Sequence, residues 1–434
     1  MPQEHAFTRL VHERMKKTGE GYRLARAHVL AGTSLSAPDR PGVFPTVRHI
    51  GGQQPDISPV RNLLVDAGVR LPGDYHVSEA MVFGLAGGIG FLYGVFEYEG
   101  TPTMTLAVRN RSTPDAFFTD LFERTGTTVE VQTTSGAAKA AKQLDKHLDE
   151  QNPVLCSLGA GALPHTGGPA GEAGMWPRVV RVIGMAGPDV WIDDISPEPL
   201  ACPRASLDTA RGALRSAKHR MISISGIDPG HDWPAAITEA VQAGARGYDT
   251  PPVPQWASNV GTAGLERWQG LLTNTRNSRG WPRFFAGGHR AAIALSRLYE
   301  SVERDSAFPA AGRPLYAGFL DAAAALTGRG SLGECAANLR VAASHWGNIA
   351  RIAATADPDL ARYCAIFDEQ AELLDAGSGP DIFVALAALR EEQQALVAGC
   401  TINGTTATDA YTAIAAELHP IIRIERTVMK QLIS

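Results

Sequence analysis

The sequence contains few cysteines, and they form no recognisable pattern. Five cysteines are scattered over 434 residues, an odd number, and no two of them make a Cys-x-x-Cys pair. A disulfide framework needs paired cysteines, and a zinc ribbon needs closely spaced pairs of ligands, so the sequence argues against both scaffolds. The pattern predicts a reduced, cytoplasmic protein.

The sequence also lacks a surplus of basic residues and a long apolar run. Lysine and arginine number 40 against 45 aspartates and glutamates, which gives a net charge of −5. Nucleic-acid binders usually carry a basic surplus, so we expect no nucleic-acid partner. Because no uninterrupted apolar stretch reaches about 18 residues, we expect no membrane span. Residues 1–20 also lack the apolar core of a secretory signal.

What is present is the composition of an ordinary globular protein, with 44% hydrophobic residues. The length predicts two or three domains. Apolar residues at spacings of three and four predict a helical hairpin in residues 1–31, and a stretch rich in proline, glycine and serine predicts a linker in 32–47. We expect an α/β domain over 48–230 and a helical domain over 231–434.

Local patterns predict the elements of the α/β domain. A short helix is expected over 57–68, and residues 78–92 are expected to begin as a helix and end in a glycine-rich turn. Two strands, 178–184 and 189–193, flank a Gly-Pro turn and predict an antiparallel hairpin. The glycine-rich segment 159–175 predicts a mobile surface loop. Other strands are predicted at 104–108, 128–132 and 153–158, and other helices at 114–125 and 136–149.

The helical domain shows apolar stripes with a period of 3.6 residues, separated by glycine and proline breaks. These stripes predict helices over 233–244, 262–274, 287–304, 313–326, 333–353, 358–374, 380–397 and 407–419.

Two motif blocks carry a family resemblance. The first is GGQQPDISPVRNLLVDAG (51–68), and the second is VSEAMVFGLAGGIGFLYG (77–94). Together they resemble the N-terminal domain of the butirosin biosynthesis protein H family. The segments RPLYAGFLDAAAAL (313–326) and HWGNIA (345–350) resemble the helical domain of unknown function that follows it in that family. The resemblance covers roughly residues 48–395, and the order of the motif blocks makes it reasonably specific.

The resemblance implies a fold and a chemistry. The expected fold class is α/β (α+β, with a papain-like cysteine-acyltransferase-type core) followed by an all-helical domain. The family's best-known member looks like an acyltransferase that moves an aminoacyl group from a carrier-protein thioester onto an amine. That chemistry needs a thiolate at a helix N-terminus and a histidine that activates it. The implied partner is a small-molecule substrate on an acyl carrier protein. The residues themselves show no metal-ligand spacing such as HExxH, and we expect no cofactor and no metal.

This sequence departs from the family pattern at the catalytic positions. Aligned without gaps, the family's His-Cys pair falls on Gln54 and Pro55, and its second histidine falls on Arg178. A family aspartate that precedes a Leu-Pro pair corresponds to Gly159. Proline offers no nucleophile, so the cysteine mechanism does not carry over. The chain is expected to be a divergent member that lacks the family cysteine and histidine.

Four residues are candidates for catalysis. Asp56 and Ser58 stand at the start of the predicted 57–68 helix. Asp56 would supply an acid–base carboxylate and Ser58 a relocated nucleophile, but capping of the helix explains both residues more simply. His165 in the glycine-rich loop is a candidate general base, or else a solvated loop histidine. Asp194 ends a strand where a papain-like site has its orienting carboxylate, or it belongs to a plain strand-end turn.

Four further residues are candidates for substrate binding. Arg178 would bind a carboxylate or phosphate group of the substrate. Alternatively, it is a charged residue on an edge strand, without a role in binding. Gln54 would line the remodelled pocket. Glu79 matches the family motif, although a place in the first turn of a helix explains it equally. Gly88 would line the pocket with backbone N–H groups, or serve close packing. Glu172, in the loop with His165, has the same alternatives as that histidine.

Three functions stay open on the sequence. The first is an enzyme of bacterial specialised metabolism that forms or rearranges an amide, ester or related acyl-derived bond without a cysteine. The second is a catalytically silent homologue that binds or supports a true enzyme, because loss of either the cysteine or the histidine abolishes a thiolate mechanism. The third is a non-acyl cyclase or dehydratase that uses acid–base residues. A homodimer stays open as well.

Overall fold

The structure is a computed structural model, and it describes most of the chain. The described residues are 2–18, 22–31, 40–49, 51–52, 54–73, 75–98, 100–110, 114–166, 177–304 and 309–434. The first part of the predicted linker, residues 32–39, and most of the predicted glycine-rich loop, residues 167–176, therefore lie outside the described residues.

The strands and helices have the following bounds. The strands are β1 (Arg70–Leu71), β2 (Tyr75–His76), β3 (Ile89–Tyr98), β4 (Thr101–Arg109), β5 (Thr127–Gln132), β6 (Val154–Gly159), β7 (Pro177–Ala186), β8 (Asp189–Asp193), β9 (Leu200–Pro203) and β10 (Met221–Ile227). The helices are α1 (Pro2–Thr18), α2 (Tyr22–Ala31), α3 (Ile57–Asp66), α4 (Glu79–Leu85), α5 (Pro114–Arg124), α6 (Ala137–Asp149), α7 (Arg204–Ala213), α8 (Trp233–Tyr248), α9 (Gly261–Thr273), α10 (Trp281–Phe284), α11 (Gly288–Glu303), α12 (Arg313–Thr327), α13 (Ser331–Thr355), α14 (Pro358–Ala376), α15 (Pro380–Gly399) and α16 (Gly404–Ile433).

A six-stranded sheet forms the centre of the N-terminal region. Its strand order is β5-β10-β6-β7-β8-β9, and every neighbouring pair is antiparallel. The predicted hairpin of β7 and β8 is confirmed, and Gly187 adopts a positive φ of 62° in the turn between them. A sheet-containing N-terminal region is thus followed by a helical C-terminal region, as expected, and its antiparallel pairing makes it α+β rather than a parallel α/β sheet.

The two faces of the sheet differ in polarity. Successive residues of a strand point to opposite faces, so Cys156, Val180 and Val182 lie on one face and pack there in an aliphatic core. Arg181 pairs in register with Asp193, and both lie on the opposite face. Both are fully buried there, on the face that α3 covers. The sheet therefore carries buried charge under α3.

One predicted element is wrong at its C-terminal end. The second motif block was expected to end in a glycine-rich turn at residue 92, but α4 ends at Leu85 and β3 begins at Ile89. The turn is confined to Ala86, Gly87 and Gly88. Residues 89–98 instead pair with β4 in an antiparallel ladder, whose register shifts between Ile89 and Leu92. Aromatic side chains such as Phe91 and Tyr93 favour a strand here. Strands β1, β2, β3, β9 and β10 and helices α7 and α10 are not in the prediction.

The predicted helices of the C-terminal region are all present, and the last one is longer than expected. The prediction ended at residue 419, whereas α16 continues through Pro420 to Ile433. Proline removes one backbone hydrogen bond, which costs a helix about 3 kcal/mol. Buried side chains beyond the proline, among them Ile421 and Val428, bury apolar surface that offsets this loss.

The chain divides into two compact units, each built from separated segments. The first unit contains residues 1–79, 127–229 and 366–392, and the second contains 80–126, 230–365 and 393–434. The predicted domains were contiguous, over 48–230 and 231–434. Residues 80–126 instead pack with the helical segments, and residues 366–392 pack with the sheet.

The N-terminal helical hairpin belongs to the first unit. Val11, Tyr22 and Ala25 form a small apolar cluster, against which Ala371 of α14 packs. Across the described part of the chain, no helix is both long and apolar enough to cross a membrane.

Candidate active site

The first turn of α3 is fixed against the start of β7. Asp56 precedes the helix and has a φ of 68°. This conformation is unfavourable in free energy for any residue other than glycine. Its Oδ1 accepts a hydrogen bond of 2.9 Å from the backbone N–H of Val179. The Asp56 carboxylate does not cap the helix. It links the N-terminus of α3 to the strand, so the capping interpretation is wrong for this residue.

The first backbone N–H groups of α3 are already bonded. Those of Ile57 and Ser58 donate to the carbonyl oxygen of Gln54 at 3.3 and 3.0 Å. The third helical residue, Pro59, has no N–H. Gln54 itself is buried and closes the turn before the helix. Gln54 thus holds the start of α3 through its main chain.

The Ser58 hydroxyl is fully buried and lies among three partners. Its oxygen accepts a hydrogen bond of 3.1 Å from the N–H of Gln54. Its single proton can go either to the Gln54 carbonyl, 2.9 Å away, or to Oε1 of Glu79, with which the contact is very short. Ser58 and Glu79, both candidates from the sequence, are therefore in contact. The nucleophilic role of Ser58 stays a prediction.

Gly52 leaves the space that the Ser58 hydroxyl occupies. A Cβ atom at this glycine would lie 1.9 Å from Ser58 Oγ. The carbonyl of Gly52 accepts a hydrogen bond of 3.0 Å from Nη1 of Arg26 on α2. Arg26 also forms a buried ion pair with Asp375, with Nε 2.6 Å from Oδ2. Sequence reasoning missed both residues, because 349 positions separate the pair and no local pattern connects them.

A second buried cluster lies at the end of β8. His165 Nε2 is 2.9 Å from Oδ2 of Asp194, and Nη1 of Arg178 donates to the same oxygen at 2.8 Å. Burial alone raises the pKa of the Asp194 carboxyl, but the charge of Arg178 and the hydrogen bond from His165 together lower that pKa below its usual value. Asp194 is thus a carboxylate, so His165 Nε2 carries the proton between them.

The exposure of these three side chains differs. Asp194 is completely buried, and the His165 side chain is 2% exposed, so His165 is not a solvated loop residue. The Arg178 side chain is 16% exposed at the start of β7. The second Asp194 oxygen, Oδ1, is buried and has no hydrogen-bond partner among the residues the structure describes. The structure therefore brings together three residues that the sequence proposed separately.

A third buried network lies beneath α3. Asp193 Oδ2 accepts hydrogen bonds from Asn62 at 2.7 Å and from Nε of Arg181 at 2.9 Å, while its Oδ1 lies 3.2 Å from Nδ1 of His49. Burial raises the pKa of Asp193, but the adjacent His49 and Arg181 groups and the hydrogen bond from Asn62 outweigh it and lower that pKa. Arg181 also binds Asp66 at the end of α3. Polar side chains thus hold α3 to the sheet.

Gly88 lies in the second compact unit. Its φ is 68°, and a Cβ atom there would lie 2.3 Å from the ring of Tyr316. Gly84, in the same motif, likewise approaches the ring of Phe319, at 2.0 Å from an added Cβ. The motif therefore serves close packing, and a role of Gly88 in substrate binding stays a prediction. Glu172, the remaining loop candidate, lies outside the described residues.

The cysteines lie in the interior of the protein. All five are buried, and none of them forms a disulfide. Burial raises the pKa of Cys156, as expected for a structural thiol on a central strand. In the described part of the chain, one group has its potential metal-ligand atoms within 4.8 Å of one another, namely Asp357, Asp359 and Cys400.

Comparison with family models identifies the two regions. Residues 55–194 match "Butirosin biosynthesis protein H, N-terminal", and residues 205–379 match a domain of unknown function, DUF4872. The chain belongs to the butirosin biosynthesis protein H-like family. The first match runs from the start of α3 to Asp194, so it contains both Ser58 and the His165 cluster. A search of curated proteins gave no significant match.

Proposed function

We propose that this family member is an enzyme of bacterial specialised metabolism. It transfers an acyl group from a carrier-bound thioester to an acceptor without a covalent enzyme intermediate. Membership of a family named for butirosin biosynthesis supports the biosynthetic role. The pairing of buried His165 with Asp194 supports the catalytic role.

The placement of the cluster supports a papain-like core. A papain-like site takes its nucleophile from the start of a helix, its histidine from the start of a strand, and its orienting carboxylate from the neighbouring strand. Here the N-terminus of α3 touches Val179 near the start of β7, and Asp194 follows the end of β8. Arg178 stands at the strand position where the family has histidine, and we propose that His165 replaces that imidazole from the adjoining segment.

The proposed mechanism uses His165 as a general base. Because Nε2 carries a proton toward Asp194, the neutral ring has its lone pair on Nδ1. Nδ1 would accept a proton as the acceptor amine attacks the thioester carbonyl. The C–N bond forms, the C–S bond breaks, and the proton passes from His165 to the leaving thiolate. Asp194 holds the ring and stabilises its charged form.

Arg178 would bind the anionic part of the substrate. One of its nitrogens is engaged by Asp194, and the guanidinium group has further N–H donors in a planar fork. Its side chain is the most exposed of the three, so it can meet a carboxylate or phosphate group that enters the site. In this role Arg178 binds substrate and keeps Asp194 ionised.

A second candidate function is a catalytically silent homologue that binds a true enzyme. The observation that favours it is the state of the α3 N-terminus, where Asp56 and Ser58 are both tied to backbone groups. In addition, Pro55 and Arg178 occupy the positions of the family cysteine and histidine. The same fold would then serve only as a partner.

Intact-protein mass spectrometry with aminoacyl-carrier thioesters separates these functions. The wild type should consume the thioester without forming an adduct. His165→Asn should lower turnover by about a hundredfold or more, the usual contribution of a general base. Ser58→Ala should retain turnover. The matched control is His12→Asn, which removes a second histidine–carboxylate pair, with Glu372 at 3.0 Å, on the surface.

Each other outcome has a definite meaning. An acyl adduct that disappears in Ser58→Ala would establish a serine nucleophile and contradict the His165 mechanism. Equal turnover in His165→Asn and the wild type would contradict it as well. An absence of turnover across amino acids would favour the silent partner or a non-acyl reaction.

A further inference from the structure

The second compact unit contains a long stretch without acidic residues. No aspartate or glutamate occurs between residues 267 and 299, although the whole chain has a net charge of −5. The arginines of this stretch are Arg267, Arg276, Arg279, Arg283, Arg290 and Arg297. Arg297 is neutralised by Glu300, three residues along α11. The positive charge of the stretch is therefore concentrated in its earlier part.

Arg267 is held at the surface by neutral groups. It lies exposed on α9, and its Nη1 donates to Ser258 Oγ at 2.8 Å and to Asn259 Oδ1 at 3.0 Å. These two acceptors belong to the short helical turn Pro254–Asn259. Trp256 in the same turn is 45% exposed, and Val253 next to it is 37% exposed. An oriented guanidinium group thus adjoins exposed apolar side chains.

Arg276, Arg279 and Arg283 are also exposed, and neutral groups hold the side chains of Arg279 and Arg283. Nη1 of Arg283 donates to the backbone carbonyl of Arg276 at 3.0 Å. Nη1 of Arg279 donates to the carbonyl of Val95 at 3.1 Å, and its guanidinium group lies 5.2 Å from the ring centre of Phe284. These contacts fix the side chains of Arg279 and Arg283 without compensating their charge.

The four exposed arginines, Arg267, Arg276, Arg279 and Arg283, together with Trp256, are called the arginine surface below. Within the described ranges, none of the four arginines forms an ion pair with a carboxylate. Arginine and tryptophan are the residues that contribute most often to the binding energy of protein interfaces. Fixed arginines lose less side-chain entropy on binding than mobile ones do.

We propose that the arginine surface binds an acidic face of a partner protein. The partner would present several carboxylates, and an apolar side chain that packs on Trp256. Carboxylates suit the planar guanidinium fork, which can bind them in bidentate pairs. A nucleic acid fits less well, because the chain as a whole is acidic and would repel a long polyanion. The proposal is independent of the reaction at His165.

A labelled acidic peptide tests this proposal on the full chain. The probe is a fluorescein-labelled helical peptide of glutamates and leucines, and binding is followed by fluorescence anisotropy. We expect saturable binding that weakens as salt rises to about 0.15 M, because the charges are exposed. The combined variant Arg276→Gln, Arg279→Gln and Arg283→Gln should bind the peptide about tenfold more weakly or worse, and mostly through a slower association rate.

The matched control removes three exposed arginines elsewhere, as Arg9→Gln, Arg340→Gln and Arg351→Gln, and changes the net charge equally. It should bind as the wild type does. A second variant, Trp256→Ala, should weaken binding at all salt concentrations, because it removes apolar contact rather than charge.

Three results would overturn the proposal. Equal loss in the control would mean that binding follows net charge alone. Tighter binding of single-stranded DNA with the same charge as the peptide would assign the surface to a nucleic acid. Absence of saturable peptide binding at low salt would show that the arginines do not form a docking surface.

Discussion

Replacing Arg181 by methionine removes the central cation of the network beneath α3. The Arg181 side chain is fully buried and binds Asp193, Asp66 and the carbonyl of Arg48. Methionine has a similar length and is apolar, so the change removes charge and hydrogen bonds while leaving little cavity. Two carboxylates would then face each other across the space that the guanidinium group filled.

The expected loss of stability follows from this arrangement. Removing one partner of a buried ion pair costs about 3–5 kcal/mol, because the other charge stays buried without compensation. Asn62 and His49 still contact Asp193, which favours the lower part of that range. For a unit of this size, the loss corresponds to a decrease in Tm of about 6–20 °C.

The effect should depend on pH in a defined direction. The pKa of Asp193 is lower in the folded protein than in the unfolded chain, so the ionised carboxylate stabilises the fold above the ordinary carboxyl pKa of about 4. This stabilisation is lost as the pH falls through the lowered pKa. Burial raises the pKa of Asp66, although Arg181 opposes it. Without Arg181 that pKa rises further, so Asp66 binds a proton at higher pH. The stability difference between wild type and variant should therefore shrink on acidification.

Urea denaturation followed by circular dichroism, at pH 7 and pH 5, measures both expectations. Hydrogen exchange of peptides from β7 and β8 assigns the change to the first unit. The control is Arg211→Met, an equally buried arginine whose contacts are 3.4–3.5 Å long and whose carboxylate partner, Asp208, is 38% exposed. Arg211→Met leaves the Asp208 carboxylate in contact with water, so it should lower the free energy of unfolding clearly less than Arg181→Met does. Equal losses in the two variants, or a difference that grows on acidification, would refute the buried-charge argument.

Two further predictions concern the second unit. Gly84→Ala should destabilise the protein by about 1–3 kcal/mol, because the new Cβ meets the ring of Phe319. Gly270→Ala, at a helix position with open space, should be neutral or stabilising. Thermal unfolding of both variants measures the difference. Glu425→Gln should cost about 3–5 kcal/mol in urea denaturation, because it leaves the fully buried Arg313 without its counter-ion, and an unchanged midpoint would contradict this.

Much of the fold follows from local patterns in the sequence. Helices such as α9 and α13 carry apolar stripes that must be buried, and the β7–β8 hairpin has a Gly-Pro turn between apolar strands, so periodicity and turn chemistry predict them. β3 was not predicted, because the glycines at its start read as the end of a turn. The pairing with β4, which decides the matter, is a contact between segments.

The candidate site shows the same division. The sequence singled out Ser58, His165, Arg178 and Asp194 one by one, from residue type and from the family resemblance. It gave no sign that Ser58 touches Glu79, or that His165 and Arg178 share one oxygen of Asp194. Those relations depend on how strands and loops meet.

The family, the order of a sheet-containing and a helical region, and most helices are predictable from the sequence. They are predictable because helix periodicity and motif order are properties of residues that are close in the chain. The pairing of buried charges, such as Arg26 with Asp375 and Arg181 with Asp193, depends on the three-dimensional fold. A buried charge is tolerated only beside its partner, and that partner comes from whichever segment the fold places there.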